Sequence, residues 1–284
     1  MKANLGIRAH DVEAKNLQEL AANVAKRGFS AVQLALAKSI TEFSTSTGSL
    51  SPGYGHYVKS IFQQHDVRIA VLGCYINMIH PDLPERQRQL DRFKEHIRFA
   101  RDFGCTIVGT ETGSVIPSLG YSEDNFTEEA YIEVVKSVHE LVEEAEKFSV
   151  IVGVEGGINH PIHTPKRMKR LLEDVPSPNL QVIYDPANFM SLDNVHEQHS
   201  VMDEAFQLFG ERMVIVHAKD FIVDNGEITM VPVGTGQLDY IYLSQRLKKE
   251  KPFINILLEN TRDPHITDSI RYIQGRYEQA KREQ

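Results

Sequence analysis

The sequence predicts an α/β fold, a (β/α)8 barrel, from two observations. Short apolar runs rich in β-branched residues alternate with longer amphipathic segments, and eight such pairs can be traced along the chain. The length of 284 residues suits one barrel, so we expect a single domain over residues 1–284. A doubly wound open sheet is the alternative, but no GxGxxG or Walker pattern follows a strand, which removes its usual support.

The first half of the chain predicts four strand-then-helix pairs. Gly28 and Gly104 each follow an amphipathic segment, at the position where glycine commonly ends a helix. Residues 38–55 are rich in Ser, Thr and Gly and predict a loop. The predicted strands are 4–10, 31–37, one within 67–77, and 106–110, and the predicted helices are 17–27, 57–65, 85–103 and 125–148.

The second half predicts four more pairs and one insertion. Thr164 is expected to cap a helix whose first residue is Pro165. Asp224, Asn225 and Gly226 separate two apolar runs and predict a hairpin insertion over residues 221–231, after strand seven, where barrels place active sites. The predicted strands are 149–155, 180–184, 213–217 and 253–258. After the helix that Thr164 caps, the predicted helices span 194–209, 239–249 and 266–281.

Composition narrows the class of protein. The net charge is 31 minus 39, or −8, which argues against general affinity for nucleic acid or for anionic membranes. The sequence shows no apolar run of membrane-spanning length, and we expect no secretory signal. Its two cysteines, Cys74 and Cys105, have no CxxC spacing, so we expect reduced core thiols and a cytoplasmic location.

Four consecutive predicted strands each end at a residue that can bind a metal or move a proton. These residues are Glu155, Asp185, His217 and Glu259, from strands five to eight. A single acid after a strand is more often a cap or a salt-bridge partner, but four in succession favour a shared site at the mouth of the barrel. Three carboxylates and an imidazole suit a divalent cation, Mn²⁺, Mg²⁺, Co²⁺ or Zn²⁺.

Such a site has a chemical use. A cation that binds a carbonyl and its neighbouring hydroxyl stabilises the enediolate formed when the adjacent carbon loses a proton. Glu155 and Glu259 lie at the two ends of the four-strand arc, so they could flank a substrate from either side as the general acid and base.

Four segments resemble the motifs of the xylose isomerase-like TIM barrels, and in particular of the sugar phosphate isomerase/epimerase family: residues 154–157, 184–188, 217–220 and 258–260. Residues 72–75 and 231–236 are also similar, so the resemblance extends over nearly the whole chain. It implies a (β/α)8 TIM barrel and a divalent metal, with Mn²⁺ expected, held by Glu155, Asp185, His217 and Glu259. It also implies that the two glutamates are the catalytic acid/base pair, and that the chain forms a homodimer or homotetramer.

The chain departs from the ketose 3-epimerases of this family at two substrate-binding positions. Asn188 stands where those enzymes carry a histidine, and Val223 where they carry an arginine. Residues 217–220 instead resemble members that act on inososes or keto-glycosides. Lys219 is expected to point the same way as His217 and contact a substrate oxygen, the alternative being a rim lysine paired with Asp220.

The predicted substrate-binding residues are Asn188, Lys219, His160, Glu111 and Asn77. For Glu111 the alternative is a helix cap. Tyr75 is expected in the core, although it could line the pocket. Arg262 could meet a phosphate, but an ion pair with Asp263 is the default expectation.

The main functional prediction is a metal-dependent sugar isomerase or epimerase with a small-molecule sugar substrate and no nucleic-acid or membrane partner. A lyase of the inosose dehydratase type could use the same metal and base. An abasic-site DNA endonuclease shares the fold, but it needs more histidine ligands and a basic surface. A catalytically silent sugar-binding protein is the fourth alternative.

Overall fold

The computed structural model describes residues 2–280 and contains a closed barrel of eight parallel strands. The barrel strands are β1 (Asn4–Arg8), β2 (Ala31–Leu34), β3 (Arg68–Gly73), β4 (Ile107–Glu111), β5 (Ile151–Glu155), β6 (Leu180–Tyr184), β7 (Met213–Ala218) and β10 (Asn255–Leu258). Two further strands, β8 (Asp220–Asp224) and β9 (Glu227–Val231), lie outside the barrel. Around the barrel the order is β1, β10, β7, β6, β5, β4, β3 and β2, which pairs again with β1. The predicted (β/α)8 barrel is confirmed.

Strands β8 and β9 form a separate antiparallel hairpin directly after β7. Asn225 and Gly226 form its turn with φ angles of 49° and 78°. Positive φ at both central residues matches the right-handed twist of the two strands, and asparagine and glycine tolerate it best. The predicted hairpin insertion is therefore confirmed.

The helix predicted to follow Thr164 begins at the expected position. Thr164 accepts a 3.2 Å hydrogen bond from the backbone N–H of Arg167, and Pro165 occupies the first turn, as predicted. The helices are α1 (Leu17–Lys26), α2 (Leu36–Ser39), α3 (Pro52–Gln63), α4 (Leu83–Phe99), α5 (Glu128–Phe148), α6 (Pro165–Asp174), α7 (Gln198–Phe209), α8 (Tyr240–Glu250) and α9 (Ile266–Gln279).

The loop predicted over residues 38–55 is wrong at both ends. Strand β2 stops at Leu34, and α2 begins at Leu36. Helix α3 begins at Pro52, five residues before its predicted start, because the Ser51 hydroxyl caps it and the fixed φ of proline suits the first turn. Of the predicted last helix, Lys281 lies outside the described residues, as do residues 1 and 282–284 of the expected domain.

One layer inside the barrel contains a residue from each of the eight strands. Five are buried apolar side chains, and three are glycines. A Cβ atom at Gly109 would lie 2.7 Å from Cδ1 of Ile183, and one at Gly6 would lie 2.5 Å from Cδ2 of Leu257, so glycine leaves the space that these large side chains fill. The layer consists of Gly6, Ala31, Val71, Gly109, Gly153, Ile183, Ile215 and Leu257.

The next layer toward the carboxyl ends of the strands lies two residues further along each strand. Side chains alternate along a strand, so these residues again face the barrel axis. Seven of the eight are polar or charged. The layer consists of Arg8, Gln33, Gly73, Glu111, Glu155, Asp185, His217 and Glu259, and we call it the mouth layer.

No helix among residues 2–280 combines the length and the apolar character needed to cross a membrane.

Candidate active site

The structure brings the four predicted metal ligands together in the mouth layer. Glu155, Asp185, His217 and Glu259 are buried, with exposed fractions of 3%, 0%, 0% and 7%. One ligand atom from each lies within 4.8 Å of the other three. The four side chains lie close together because their strands, β5, β6, β7 and β10, are consecutive neighbours in the barrel wall.

His217 lies between the two glutamates. Its Nδ1 atom is 3.1 Å from Oε2 of Glu155 and 3.1 Å from Oε2 of Glu259. Neither contact has hydrogen-bond geometry, and Nδ1 has no other hydrogen-bond partner among the described residues. The other ring nitrogen, Nε2, lies 2.7 Å from Oε1 of Gln33. The ring is thus fixed at one nitrogen, and its second nitrogen faces the carboxylates.

Each glutamate directs one oxygen to this centre and holds the other in separate contacts. Oε1 of Glu155 accepts a 2.8 Å hydrogen bond from the side-chain amide of Asn188. Oε1 of Glu259 accepts a 3.0 Å hydrogen bond from Nζ of Lys219 and lies 3.0 Å from a guanidinium nitrogen of Arg8. The two oxygens of each glutamate are therefore distinguished by their neighbours.

Asp185 is oriented by the backbone of the turn that follows it. Its Oδ1 accepts hydrogen bonds from the N–H groups of Ala187 and Asn188, at 2.9 and 3.3 Å. Its Oδ2 lies 3.2 Å from Nζ of Lys219 and has no hydrogen-bond partner among the described residues. Burial raises the pKa of Asp185 to about 6, although the charge of Lys219 acts in the opposite direction.

The buried charges of the site stabilise one another. Burial alone would lower the pKa of His217, but the carboxylates of Glu155 and Glu259 outweigh it and raise that pKa to about 10. Burial would likewise lower the pKa of Lys219, but Asp185 and Glu259 raise it. Burial opposes ionisation of Glu259, yet Lys219 and His217 keep its pKa well below its usual range.

The donor set fits a divalent cation. Oδ2 of Asp185 and Nδ1 of His217 are buried polar atoms without a hydrogen-bond partner among the described residues, and both lie in the cluster. Unpartnered buried atoms cost free energy unless something else binds them. Two ligand atoms about 2.1 Å from one ion and at right angles to each other are roughly 3.0 Å apart. The 3.1 Å separations around Nδ1 of His217 match this spacing.

Lys219 is not the rim lysine of the alternative prediction. It is 5% exposed and pairs with Asp185 and Glu259. Asp220 is occupied elsewhere, because its carboxylate accepts hydrogen bonds from the backbone N–H groups of residues 221, 234, 236 and 238, at 2.9 to 3.1 Å. Lys219 points the same way as His217, as the alternation of side chains predicted.

The other predicted substrate-binding residues occupy different surroundings. Glu111 pairs in register with Glu155 on the neighbouring strand, and its side chain is partly exposed. Asn188 joins Glu155 to the turn that holds Asp185. His160 is half-buried, and its Nδ1 lies 3.0 Å from the carbonyl oxygen of Gly113.

Asn77 has a structural environment instead. It is 2% exposed, and its side-chain oxygen accepts hydrogen bonds from the backbone N–H groups of Ile79 and Ser114. Its side-chain nitrogen donates to the carbonyl oxygen of Ile116. These bonds tie two loops together and occupy the amide, so the prediction that Asn77 binds substrate finds no support in this geometry.

Arg262 does not pair with Asp263 as expected. Its Nε atom lies 3.2 Å from Asp11, and Asp263 pairs with Arg27. The reason is geometric, because Asp11 lies in the short helical turn after β1, beside the loop that follows β10.

Three residues of the site were missed or misplaced by sequence reasoning. Arg8 contacts Glu259, Gln33 contacts His217, and Tyr75 contacts Gln33 through its hydroxyl. Tyr75 is only partly buried, so its expected place in the core is wrong. The sequence does contain an indication for Gln33, because it is a polar residue inside the apolar run predicted to form the strand 31–37.

Comparison with solved structures supports the fold. The IOLI protein with a bound zinc atom has a TM-score of 0.73 and 18% identity, with 99% of both chains covered. The 3-keto-D-glucoside 4-epimerase of E. coli has a TM-score of 0.70 and 15% identity, with 96% of this chain and 100% of that chain covered. A probable 3-DHS dehydratase of Bacillus anthracis has a TM-score of 0.72 and 14% identity, with 96% and 98% covered.

Comparison with curated protein sequences found no significant match. The family described as xylose isomerase-like TIM barrel matches residues 21–276, most of the chain. The protein therefore belongs to the xylose isomerase-like TIM barrel family.

Proposed function

We propose that the protein is a divalent-metal-dependent isomerase or epimerase of a sugar or keto-sugar, which moves a proton on a carbon next to a carbonyl. One observation carries the proposal. Glu155 and Glu259 each present Oε2 to the shared centre at His217, while each Oε1 is held separately by Asn188 or by Lys219 and Arg8. One oxygen of each glutamate can thus bind a cation while the other exchanges a proton.

The two glutamates approach from different strands, β5 and β10, so a planar substrate between them would meet a carboxylate on each face. One carboxylate removes the proton, and the substrate becomes an enediolate. The carboxyl group on the opposite face returns a proton, which inverts that carbon. If a single carboxylate instead moves the proton between the two carbons, the product is an isomer with its carbonyl shifted.

Glu155, Asp185, His217 and Glu259 would hold the cation, for which we propose Mn²⁺, with Mg²⁺, Co²⁺ and Zn²⁺ as alternatives that also bind oxygen and nitrogen ligands. A bound divalent cation supplies positive charge that stabilises negative charge developing on the substrate oxygens. The zinc atom in the similar IOLI structure supports a metal in this fold.

The remaining polar groups of the mouth suit a keto-sugar. Lys219 provides an ammonium group that can stabilise a developing oxyanion, and Asn188 and Glu111 can bind hydroxyl groups. The 3-keto-D-glucoside 4-epimerase in the comparison, and the resemblance of residues 217–220 to family members that act on inososes or keto-glycosides, lead us to propose these two classes as the first substrates to test.

A lyase reaction is the second candidate, and Lys219 is the observation that favours it. Loss of a hydroxyl group from the carbon next to the deprotonated one requires a proton donor at the leaving oxygen. The buried ammonium group of Lys219, 3.0 Å from Glu259, carries protons that could serve there, although, despite its burial, Asp185 and Glu259 raise its pKa. The similar fold of the probable dehydratase is consistent with this chemistry.

The test is to incubate the metal-loaded protein in D₂O with a panel of ketoses, keto-glycosides and inososes, and to follow the products by NMR and mass spectrometry. We expect deuterium to enter a carbon next to the carbonyl. Glu155→Gln and Glu259→Gln should each reduce the rate at least 100-fold, whereas Glu143→Gln, on the exposed face of α5, should not. Loss of water without inversion would instead assign a lyase.

Exchange that survives in either glutamine variant would contradict the proposed role of that glutamate. Exchange that persists after complete removal of the metal would contradict the proposed metal dependence.

A further inference from the structure

Gln33 joins the candidate metal centre to a tyrosine at the edge of the site. Its side chain is 2% exposed and extends from β2, which is separated from β7 in the barrel wall by β1 and β10. Oε1 of Gln33 lies 2.7 Å from Nε2 of His217, and its amide nitrogen donates a hydrogen bond to the hydroxyl oxygen of Tyr75. One side-chain amide therefore contacts two groups of the mouth with its two different ends.

The direction of the Gln33 amide determines which nitrogen of His217 carries the hydrogen when the ring is neutral, as it must be to bind a cation. Because the NH₂ group of Gln33 is directed to Tyr75, its oxygen is left to accept a hydrogen bond from Nε2–H of His217. A neutral imidazole with its hydrogen on Nε2 has its lone pair on Nδ1. Nδ1 is the atom that faces Glu155 and Glu259, so this tautomer presents a ligand atom to the centre.

The same amide determines where the Tyr75 hydroxyl can donate. The phenol oxygen accepts from Gln33, and no acceptor among residues 2–280 takes the hydroxyl hydrogen. Tyr75 lies two residues beyond Gly73 of the mouth layer, and its ring packs near Gly73, since a Cβ atom there would lie 3.4 Å from Cε2 of Tyr75. Nζ of Lys38 covers the ring at 4.2 Å from its centroid, which further restricts the side chain.

The surroundings of Tyr75 place it within electrostatic reach of the site. Burial, followed by the charges of Glu259 and Glu155, raises the pKa of Tyr75 well above its usual value. The phenol therefore keeps its hydrogen at neutral pH and is a neutral donor beside the two carboxylates.

We propose that Gln33 is a positioning residue with two effects: its oxygen fixes the His217 tautomer that presents Nδ1 to a cation, and its NH₂ group turns the Tyr75 hydroxyl hydrogen toward a substrate oxygen. The second effect rests on the proposed function, whereas the first concerns metal binding alone. Tyr75 would contact the substrate directly, and Gln33 would act through its two neighbours.

Two substitutions of Gln33 separate these effects. Gln33→Glu keeps an oxygen for Nε2–H of His217 but offers another oxygen, in place of a donor, to Tyr75, so the phenol should then donate to residue 33. Gln33→Met removes both contacts at similar size. Tyr75→Phe removes only the hydroxyl, and Gln207→Glu, at an exposed position of α7, is the matched control.

The first measurement is the Mn²⁺ dissociation constant of the metal-free protein by calorimetry. We expect Gln33→Met to raise it about 10- to 100-fold, as loss of a partner of a metal-binding histidine does. Gln33→Glu, Tyr75→Phe and Gln207→Glu should stay within about threefold of the wild type. If Gln33→Glu weakens binding as much as Gln33→Met, or if Gln33→Met has no effect, the tautomer role is overturned.

The second measurement is kcat/KM for deuterium exchange with a substrate found in the panel. Tyr75→Phe and Gln33→Glu should each lower it about tenfold, the effect expected for one lost hydrogen bond. The double variant should be no slower than either single variant, because both remove the same donor. Multiplicative losses, or full activity of Tyr75→Phe, would overturn the donor role.

The two measurements also separate this inference from the proposed function. If the wild type exchanges no proton with any substrate, the proposed function and the donor role of Tyr75 both fail. The ranking of the Gln33 variants in Mn²⁺ affinity would still support or overturn the tautomer role.

Discussion

Nε2 of His217 donates a hydrogen bond to Oε1 of Gln33 at 2.7 Å, although 184 residues separate the two in the chain. The bond joins β7 to β2, and it fixes the ring whose other nitrogen faces Glu155 and Glu259. The candidate site is therefore held by strands from both halves of the chain, beyond the four that supply its acids and histidine.

Lys219 forms ion pairs with Asp185 and Glu259, two carboxylates whose negative charge a bound cation would also neutralise. Replacing Lys219 with methionine should lower the free energy of unfolding of the metal-free protein by about 3–5 kcal/mol, because Asp185 and Glu259 would lose a buried partner. Added Mn²⁺ should then raise the melting temperature more in this variant than in the wild type. Thermal melts with and without Mn²⁺ measure both effects.

Lys166→Met is the control for that substitution, because the Lys166 side chain is 80% exposed and pairs only at 3.5 Å with Glu204. An equal Mn²⁺ shift in the Lys219 variant and the wild type would show that Lys219 and the cation do not share these carboxylates.

Asp220 organises the segment that leads from the hairpin to α8. Its buried carboxylate accepts four backbone hydrogen bonds, and an asparagine would replace one acceptor oxygen with a donor. We expect Asp220→Asn to cost roughly 2–4 kcal/mol of stability, from the loss of charge-assisted bonds and the unsatisfied N–H groups that remain. Urea denaturation measures the loss. Asp193→Asn, at an exposed position, should leave stability unchanged, and equal stability of both variants would refute this role.

Gly236 permits the close approach of its backbone to Asp220. A Cβ atom at residue 236 would overlap the Asp220 carboxylate and the carbonyl oxygen of Phe221, so Gly236→Ala should cost about 1–3 kcal/mol. At Gly275, within α9, an added Cβ would have no atom of residues 2–280 within 4 Å apart from its chain neighbours and the backbone of its own helix. Gly275→Ala should therefore raise stability by roughly 0.5–1 kcal/mol, the helix preference for alanine over glycine. Denaturation curves that show the same sign for both variants would contradict this difference.

Asn188 holds Oε1 of Glu155 through one hydrogen bond of 2.8 Å. Without it the carboxylate can rotate away from the substrate, so Asn188→Ala should lower the deuterium exchange rate about 10- to 100-fold. The affinity for Mn²⁺ should change little, because the backbone N–H of residue 188 still donates to Asp185. Asn4→Ala, which loses an exposed bond to the carbonyl oxygen of Phe253, is the control. A large loss of metal affinity with unchanged exchange would reverse this assignment.

The barrel and its candidate metal-binding residues could be predicted because both follow from local patterns. Apolar runs mark the strands, and the acid or histidine that ends a run must lie at the carboxyl edge of a parallel barrel. Glu155, Asp185, His217 and Glu259 were found in this way. Thr164 and the pair of Asn225 and Gly226 were predictable for a similar reason, since caps and turns depend on a few adjacent residues.

Other residues of the mouth layer could not be predicted from local sequence patterns. Arg8 on β1 and Gln33 on β2 lie in the same layer as Glu155 and His217. Arginine and glutamine are not common metal ligands, so a search for metal ligands in the sequence does not select them. The partners of Lys219, Asn77 and Arg262 could not be predicted either, because each depends on contacts between loops distant in sequence. The helix start at Pro52 was missed because serine and glycine around it suggested a loop.

If Glu155, Asp185, His217 and Glu259 form one divalent metal centre, a bound cation should be visible between them. The most direct test is the anomalous difference map of a crystal soaked in Mn²⁺, recorded at the manganese absorption edge. We expect one strong peak about 2.0–2.3 Å from an oxygen of each carboxylate and from Nδ1 of His217, the distance range of first-row metal ligands. A peak elsewhere, a peak bonded to Nε2 of His217, or no peak at this cluster would contradict this expectation.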